Sequence, residues 1–171
     1  MHEDNGQNVG MRTLPPSKRI RIFMNGLSLD LPAGENMIQT IGVIGAGQMG
    51  NGIAQVAACA GYDVVMIDIK DEYVEKGLGT IQFSLGKLVS KERMTQADAD
   101  AALARIKTGT ERSMCADCDL VVEAVPEVLS LKQDIFTELD SICKPETILA
   151  SNTSSISITT IAASTQRPEK V

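Results

Sequence analysis

The sequence predicts an α/β fold built on a doubly wound parallel sheet, and three observations predict it. The first is Ile41 to Gly61, IGVIGAGQMGNGIAQVAACAG, where an apolar run breaks into glycines and resumes as a small-residue helical pattern. The second is a set of short runs that are apolar on both faces, as strands buried in a parallel sheet must be. The third is the alternation of those runs with helical spacing along the rest of the chain.

Taken in order, residues 1–36 differ from the rest. Polar residues run to Pro15-Pro16, and RIRIFMNGLSLDL then alternates apolar and polar residues on either side of Asn25-Gly26. Asn-Gly between alternating strands signals a hairpin, because both residues tolerate positive φ. A two-stranded hairpin alone is marginal in water, so this one either packs on the main domain or is loosely ordered, with Pro32-Ala33-Gly34 as a linker. Alternatively, the protein starts at Met37 and residues 1–36 are an upstream extension. The expected organisation is an extension over 1–36 and a domain over 37–171.

Ile38 to Ile44 reads as the first buried strand and Met49 to Ala60 as a helix, with small residues at Gly52, Ala54, Ala57 and Ala58 and a stop at Gly61. Asp63 to Ile69, DVVMIDI, is a second strand, and the short crossover makes the pair parallel and right-handed. Asp71 to Ser90 is a long amphipathic helix. Thr95 to Ile106 is another, opening on T-Q-A-D in the manner of a capping box. A short strand near Ile106 to Thr110 precedes DLVVEAV, Asp119 to Val125, an apolar strand that ends at Pro126. Val128 to Cys143 carries Leu129, Ile135, Phe136, Leu139 and Ile142 at helical spacing. Thr147 to Ala150 is a last strand, followed by the polar loop SNTSS and a short helix from Ile158 to Ala163.

Composition narrows the function. The formal charge is -6 without a Lys/Arg cluster, 3% of residues are aromatic and none is Trp. Such a chain is a poor phosphate-backbone binder with no base-stacking surface, so no nucleic-acid partner is expected. No apolar stretch approaches the ~18 residues that span a bilayer, and MHEDNGQNVG lacks the basic start and apolar centre of a secretory signal. The expectation is a cytoplasmic protein without a membrane partner. Cys59, Cys115, Cys118 and Cys143 are too scattered for a disulfide framework. Cys115 and Cys118 form a C-x-x-C, but the single histidine is His2, so the thiols read as reduced and structural and no metal is expected.

The glycine turn carries the chemistry. Gly45-Ala46-Gly47-Gln48-Met49-Gly50 lies between a strand and a helix, where Gly45 permits the turn, Gly47 admits a pyrophosphate and Gly50 packs the helix on the sheet. Free N–H groups and the positive end of the helix dipole favour anionic phosphates there. Asp68 ends the second strand, 18 residues past Gly50. It can accept from ribose hydroxyls and would repel a 2′-phosphate, so NAD is preferred over NADP, with neighbouring Lys70 acting in the opposite sense. The plainer reading is glycines for packing and Asp68 as a solvated strand end. Ligands of an open parallel sheet lie beyond the carboxyl ends of its strands, which puts Glu127 and the Ser151 to Ser155 loop on the nicotinamide side. The plainer reading of Asn152 to Ser155 is an N-cap for the next helix.

Together, IGVIGAGQMGNGIAQVAACAGYDVVMIDI, DLVVEAVPE and ILASNTSS resemble the NAD-binding domain of the L-3-hydroxyacyl-CoA dehydrogenases, especially the short-chain bacterial 3-hydroxybutyryl-CoA dehydrogenases. The resemblance covers Met37 to Val171. It implies a Rossmann-like domain of an enzyme that oxidises the 3-hydroxyl of an acyl-CoA with hydride passing to NAD, or reduces acetoacetyl-CoA in reverse, in fatty-acid and butanoate metabolism. It further implies a homodimer for the full-length protein. Gly45, Ala46, Gly47, Gln48, Met49, Gly50 and Asp68 match the family's dinucleotide contacts, Glu127 and Lys132 its nicotinamide-side residues, and Asn152 a position near the nicotinamide. Ser154 matches the serine that bonds the substrate oxygen, and Ser84 and Lys91 match residues that contact CoA, though Lys91 is equally an ordinary solvated lysine.

One departure qualifies the resemblance. The family's general base is a histidine in a G-x-H-F-x-N-P strand after the SNTSS helix, and the sequence ends at Val171 before such a strand. His2 cannot substitute. The expectation is a C-terminally truncated chain whose sheet lacks its sixth strand, inactive alone and poorly soluble. A dinucleotide-binding module without turnover and another β-hydroxyacid dehydrogenase are the alternatives.

Overall fold

The computed structural model describes two strands within residues 19–32 and the continuous chain 38–171. By internal contacts the chain divides into Met1–Met37 and Ile38–Val171. In the first unit, β1 (Arg19–Met24) and β2 (Leu27–Pro32) pair antiparallel with Met24 opposite Leu27, the register that a two-residue connection imposes. Asn25 and Gly26, Ala33 and Gly34, and His2 lie outside the described residues.

The second unit runs β3 (Thr40–Ile44), α1 (Gln48–Cys59), β4 (Asp63–Ile67), α2 (Asp71–Ser90), α3 (Gln96–Ala104), β5 (Ile106–Gly109), β6 (Leu120–Glu123), α4 (Leu129–Ile142), β7 (Ile148–Ser151) and α5 (Ile158–Ala162). Its five strands are parallel, in the order β5-β4-β3-β6-β7. The chain winds outward from β3 through β4 and β5, then crosses back to β6 and β7. The order therefore reverses between β3 and β6, which opens a crevice at the carboxyl ends of those strands. Register aligns those ends in one row: Gly109, Ile67, Ile44, Glu123 and Ser151.

Strand alternation feeds two cores. Val43 and Met66 point to one face, against Ala54, Ile81 and Leu85 of α1 and α2. Ile44 and Ile67 point to the other, against Ile135, Phe136, Leu139 and Ile161, together with the buried free thiols of Cys115, Cys118 and Cys143. No helix among the described residues is long and apolar enough to cross a membrane.

The elements agree with the sequence in kind and order and differ at their ends. β4 stops at Ile67 rather than Ile69, because the Asp68 carboxylate accepts from Ala46 N–H (2.7 Å) and Ile69 N–H (2.7 Å) and turns the chain away. β6 stops at Glu123 rather than Val125, because the Glu123 carboxylate takes the Val125 N–H at 2.6 Å. The start of α3 is half of a capping box: the Thr95 hydroxyl accepts from Asp98 N–H, but Asp98 takes the hydroxyl proton in return instead of the cap amide.

Candidate cofactor site

The glycine turn leaves β3 at Gly45, whose φ of +102° suits only glycine without strain. A Cβ there would also stand 2.7 Å from the Ala124 carbonyl oxygen, at the exit of β6. Gly50 lies against the Gly45 carbonyl, so the first turn of α1 seats directly on the strand end. Gly47 is exposed, with nothing within 4 Å of where its Cβ would be. The turn is thus closed toward the sheet and open toward the crevice.

No side chain caps α1, and its first turn holds no acid. The contrast with α2, which has Asp71 and Glu72 in its first turn, and with α3, capped by Thr95, is a contrast of purpose. An uncapped, acid-free N-terminus keeps its first amides and its positive dipole end for an outside anion. Asn51 Nδ2 donates to the Gly47 carbonyl at 2.8 Å and stiffens the turn.

A cleft of about 680 Å³ begins at this turn. Asp68, Tyr73, Lys76, Thr80, Arg112, Ala124, Val125 and Pro126 are among the residues that line it. Asp68 is half-buried, and each carboxylate oxygen holds one backbone amide, leaving lone pairs for a hydroxyl. Lys70 lies over the Tyr73 ring, 5.6 Å from its centroid. The open turn, the uncapped helix and the carboxylate at the cleft wall together fit a dinucleotide with free ribose hydroxyls.

The far side of the crevice is polar and tightly bonded. Glu123 and Lys132 are fully buried, with Lys132 Nζ at 2.8 and 2.9 Å from the two Glu123 carboxylate oxygens. Lys132 Nζ also lies 3.3 Å from the Val125 carbonyl and 3.4 Å from Glu127 Oε1. Ser151 donates to Glu123 Oε2 at 2.6 Å. Glu127 Oε2 accepts from the hydroxyls of Thr153 (2.6 Å) and Ser155 (3.0 Å). The Thr153 hydroxyl, with help from Ser155 and the Lys132 ammonium, holds the Glu127 carboxyl below its usual range against a smaller upward push from burial. Thr153 also accepts from the Ser155 and Ile156 amides. The loop therefore caps itself, while Ser157, at the N-cap of α5, makes no side-chain cap bond.

Residues 40–171 match the family described as 3-hydroxyacyl-CoA dehydrogenase, NAD binding domain. The chain belongs to that family. It is 50% identical over 134 residues to a 3-hydroxybutyryl-CoA dehydrogenase of Bradyrhizobium diazoefficiens, covering 78% of this chain and 46% of the relative. It is 55% identical over 127 residues to a probable 3-hydroxybutyryl-CoA dehydrogenase of Deinococcus radiodurans, covering 74% and 45%. Among solved structures, (S)-3-hydroxybutyryl-CoA dehydrogenase from Ralstonia eutropha superposes with a TM-score of 0.77 at 48% identity, over 78% of this chain and 47% of that one. The chain spans a little under half the length of the curated relatives it matches. As an NAD-binding domain of this family, it takes NAD as its cofactor.

The glycine turn and Asp68 meet at the cleft, joined by the Ala46 amide, and Gly45, Ala46, Gly47 and Gln48 line it. Met49 is exposed and Gly50 is buried against the strand end. Asn152 and Ser154 are exposed on the loop beyond β7, across from Glu127. Ser84 is half-buried one helical turn, about 6 Å, past Thr80, and exposed Lys91, at the C-cap of α2, lies about 10 Å further on. Neither lines the cleft. Sequence reasoning missed Glu123, Asn51 and Arg112. Glu123 left a signal, because a lone carboxylate in an apolar strand must find a partner when buried.

Proposed function

We propose that residues 38–171 form the NAD-binding portion of a 3-hydroxyacyl-CoA dehydrogenase of the 3-hydroxybutyryl-CoA type, interconverting 3-hydroxyacyl-CoA and 3-oxoacyl-CoA. The observation that carries it is the open, uncapped glycine turn with Asp68 bonded beside it at one cleft, in a chain that matches the family over residues 40–171.

In this reading, the turn amides at Gly47 to Gly50 bind the pyrophosphate, and Asp68 receives the adenosine ribose hydroxyls and repels a 2′-phosphate. Glu127, Lys132 and Asn152 form the nicotinamide side. NAD, when bound, supplies the hydride acceptor. The exposed Ser154 hydroxyl donates to the substrate oxygen and orients it, while Ser84 and Lys91 extend along α2 as a track for CoA. Oxidation of a hydroxyl also needs a base to take its proton, and since residues 38–171 contain no histidine, a histidine base of the family's kind would come from outside them. A homodimer and a cytoplasmic location belong to the same reading and rest on family membership.

Titration calorimetry of the 171-residue chain with NAD and NADP tests the cofactor half. NAD should bind at least about tenfold more tightly, and equal affinities would remove Asp68 from its role. An acetoacetyl-CoA reduction assay tests the rest. A longer chain carrying the family's histidine strand should turn over, and one that binds NAD without turnover would mark a binding module instead.

A further inference from the structure

Glu123 is a carboxylate at the centre of the sheet, at the end of β6 and fully buried. Four hydrogen bonds reach it: two from Lys132 Nζ (2.8 and 2.9 Å), one from Val125 N–H (2.6 Å) and one from Ser151 Oγ (2.6 Å). Its backbone carbonyl takes a further bond from Asn152 N–H at 2.8 Å. Each partner leads to a different part of the crevice's far wall. Lys132 leads to Glu127, Val125 begins the turn into α4, and Ser151 precedes the loop that presents Asn152 and Ser154.

A buried ion pair is a poor stabiliser, since desolvation of both charges consumes most of the Coulombic gain. Replacing such a pair by apolar residues is often neutral for stability, which turns attention to what this pair orients. The three N–H bonds of the Lys132 ammonium are directed at Glu123, the Val125 carbonyl and Glu127. The charge that fixes Glu127 is thus itself fixed by Glu123.

We propose that Glu123 is a positioning residue for the nicotinamide side of the cofactor site: through Lys132 it holds Glu127, and through Ser151 it sets the loop that carries Asn152 and Ser154. The proposal rests on the NAD reading above. It touches no reacting atom and assigns Glu123 no proton transfer. Its consequence is selective, because the adenosine and pyrophosphate end is built by the glycine turn and Asp68, and the hydrogen bonds of the Glu123 carboxylate go to Val125, Lys132 and Ser151 instead.

The test compares NAD with ADP, which has the adenosine and diphosphate but no nicotinamide side, on wild type, Glu123→Gln and Ser151→Ala, with circular dichroism to verify folding. Both variants should weaken NAD binding, Glu123→Gln by about tenfold and Ser151→Ala by less, while ADP affinity stays within about twofold of wild type. A merely structural Glu123 would lower both affinities together, and that result overturns the proposal. So does unchanged NAD affinity in either folded variant. If Glu123→Gln fails to fold, Ser151→Ala decides, since it removes one neutral donor and leaves the ion pair whole. A wild type that binds ADP but not NAD fails the cofactor reading itself, a result separate from the two that fail Glu123.

Discussion

At the residue scale, Gly47 and Gly50 sit three positions apart and do opposite jobs. Gly50 has the Gly45 carbonyl where a Cβ would go, and that oxygen belongs to backbone which cannot swing aside. Gly50→Ala should therefore cost about 3 kcal/mol or more of stability, at or beyond the top of the range for overpacking, read as a lowered urea midpoint. Gly47 has open space there and an ordinary extended backbone, φ -62°, ψ -172°. Gly47→Ala should unfold within about 0.5 kcal/mol of wild type, as surface substitutions do. It should nonetheless lose NAD affinity, because the added methyl occupies the approach of the pyrophosphate. Matching losses of stability in the two variants would show that both glycines serve packing alone.

At the element scale, what was legible followed from periodicity, and what was hidden followed from single polar atoms. The order of strands and helices could be read because β-branched runs such as DVVMI and the spacing of Ile135, Phe136 and Leu139 admit one assignment. The strand ends could not, because β4 and β6 are cut short by side-chain carboxylates bonding to the next amides, a choice that hydropathy does not record. Asp119 is a third such carboxylate, and it ties two elements together. Just before β6 it accepts the backbone amides of Gln39 (2.8 Å) and Thr40 (3.0 Å) at the start of β3, and Lys144 Nζ (2.9 Å). Partial burial raises the Asp119 carboxyl, but Lys144 and the two amides outweigh it and hold the group below its usual range. A depressed carboxyl contributes stability above its unfolded pKa of about 3.9 and loses it as pH falls through the lower folded value. Lys144 is raised, chiefly by its bond to Asp119, so its share persists below about 10.4 and is lost as pH rises past its folded value. Asp119→Ala should cost about 1–2 kcal/mol near neutral pH, mostly for the part-buried Thr40 amide, since the Gln39 amide is exposed to water and the ion pair is partly solvated. The gap from wild type should shrink as pH falls below about 4. A gap that stays constant to pH 2 would place the loss elsewhere.

At the scale of the whole molecule, the sheet is a wall between two cores that share no side chains, yet its three central strands, β3, β4 and β6, contribute to both. Val43 and Met66 belong to one core, and Ile44 and Ile67, their chain neighbours, to the other. Neither core can loosen without moving the strands that support its counterpart, and the crevice at the strand ends depends on both remaining in register. Ile81 on α2 and Ile135 on α4 offer a matched pair of probes, each fully buried in a different core. Ile→Val removes one methylene from either, at about 0.5–1.5 kcal/mol. If the sheet transmits order across its faces, each variant shifts one common unfolding transition, and amide exchange slows or quickens alike in α1 and α4. The double variant should then equal the sum of the singles within about 0.5 kcal/mol, because the two sites share no partners. Two separate transitions in urea, with Ile81→Val moving one and Ile135→Val the other, would show instead that the two helical layers fold as independent units. The cofactor site would then sit on a seam between them rather than on a single rigid wall.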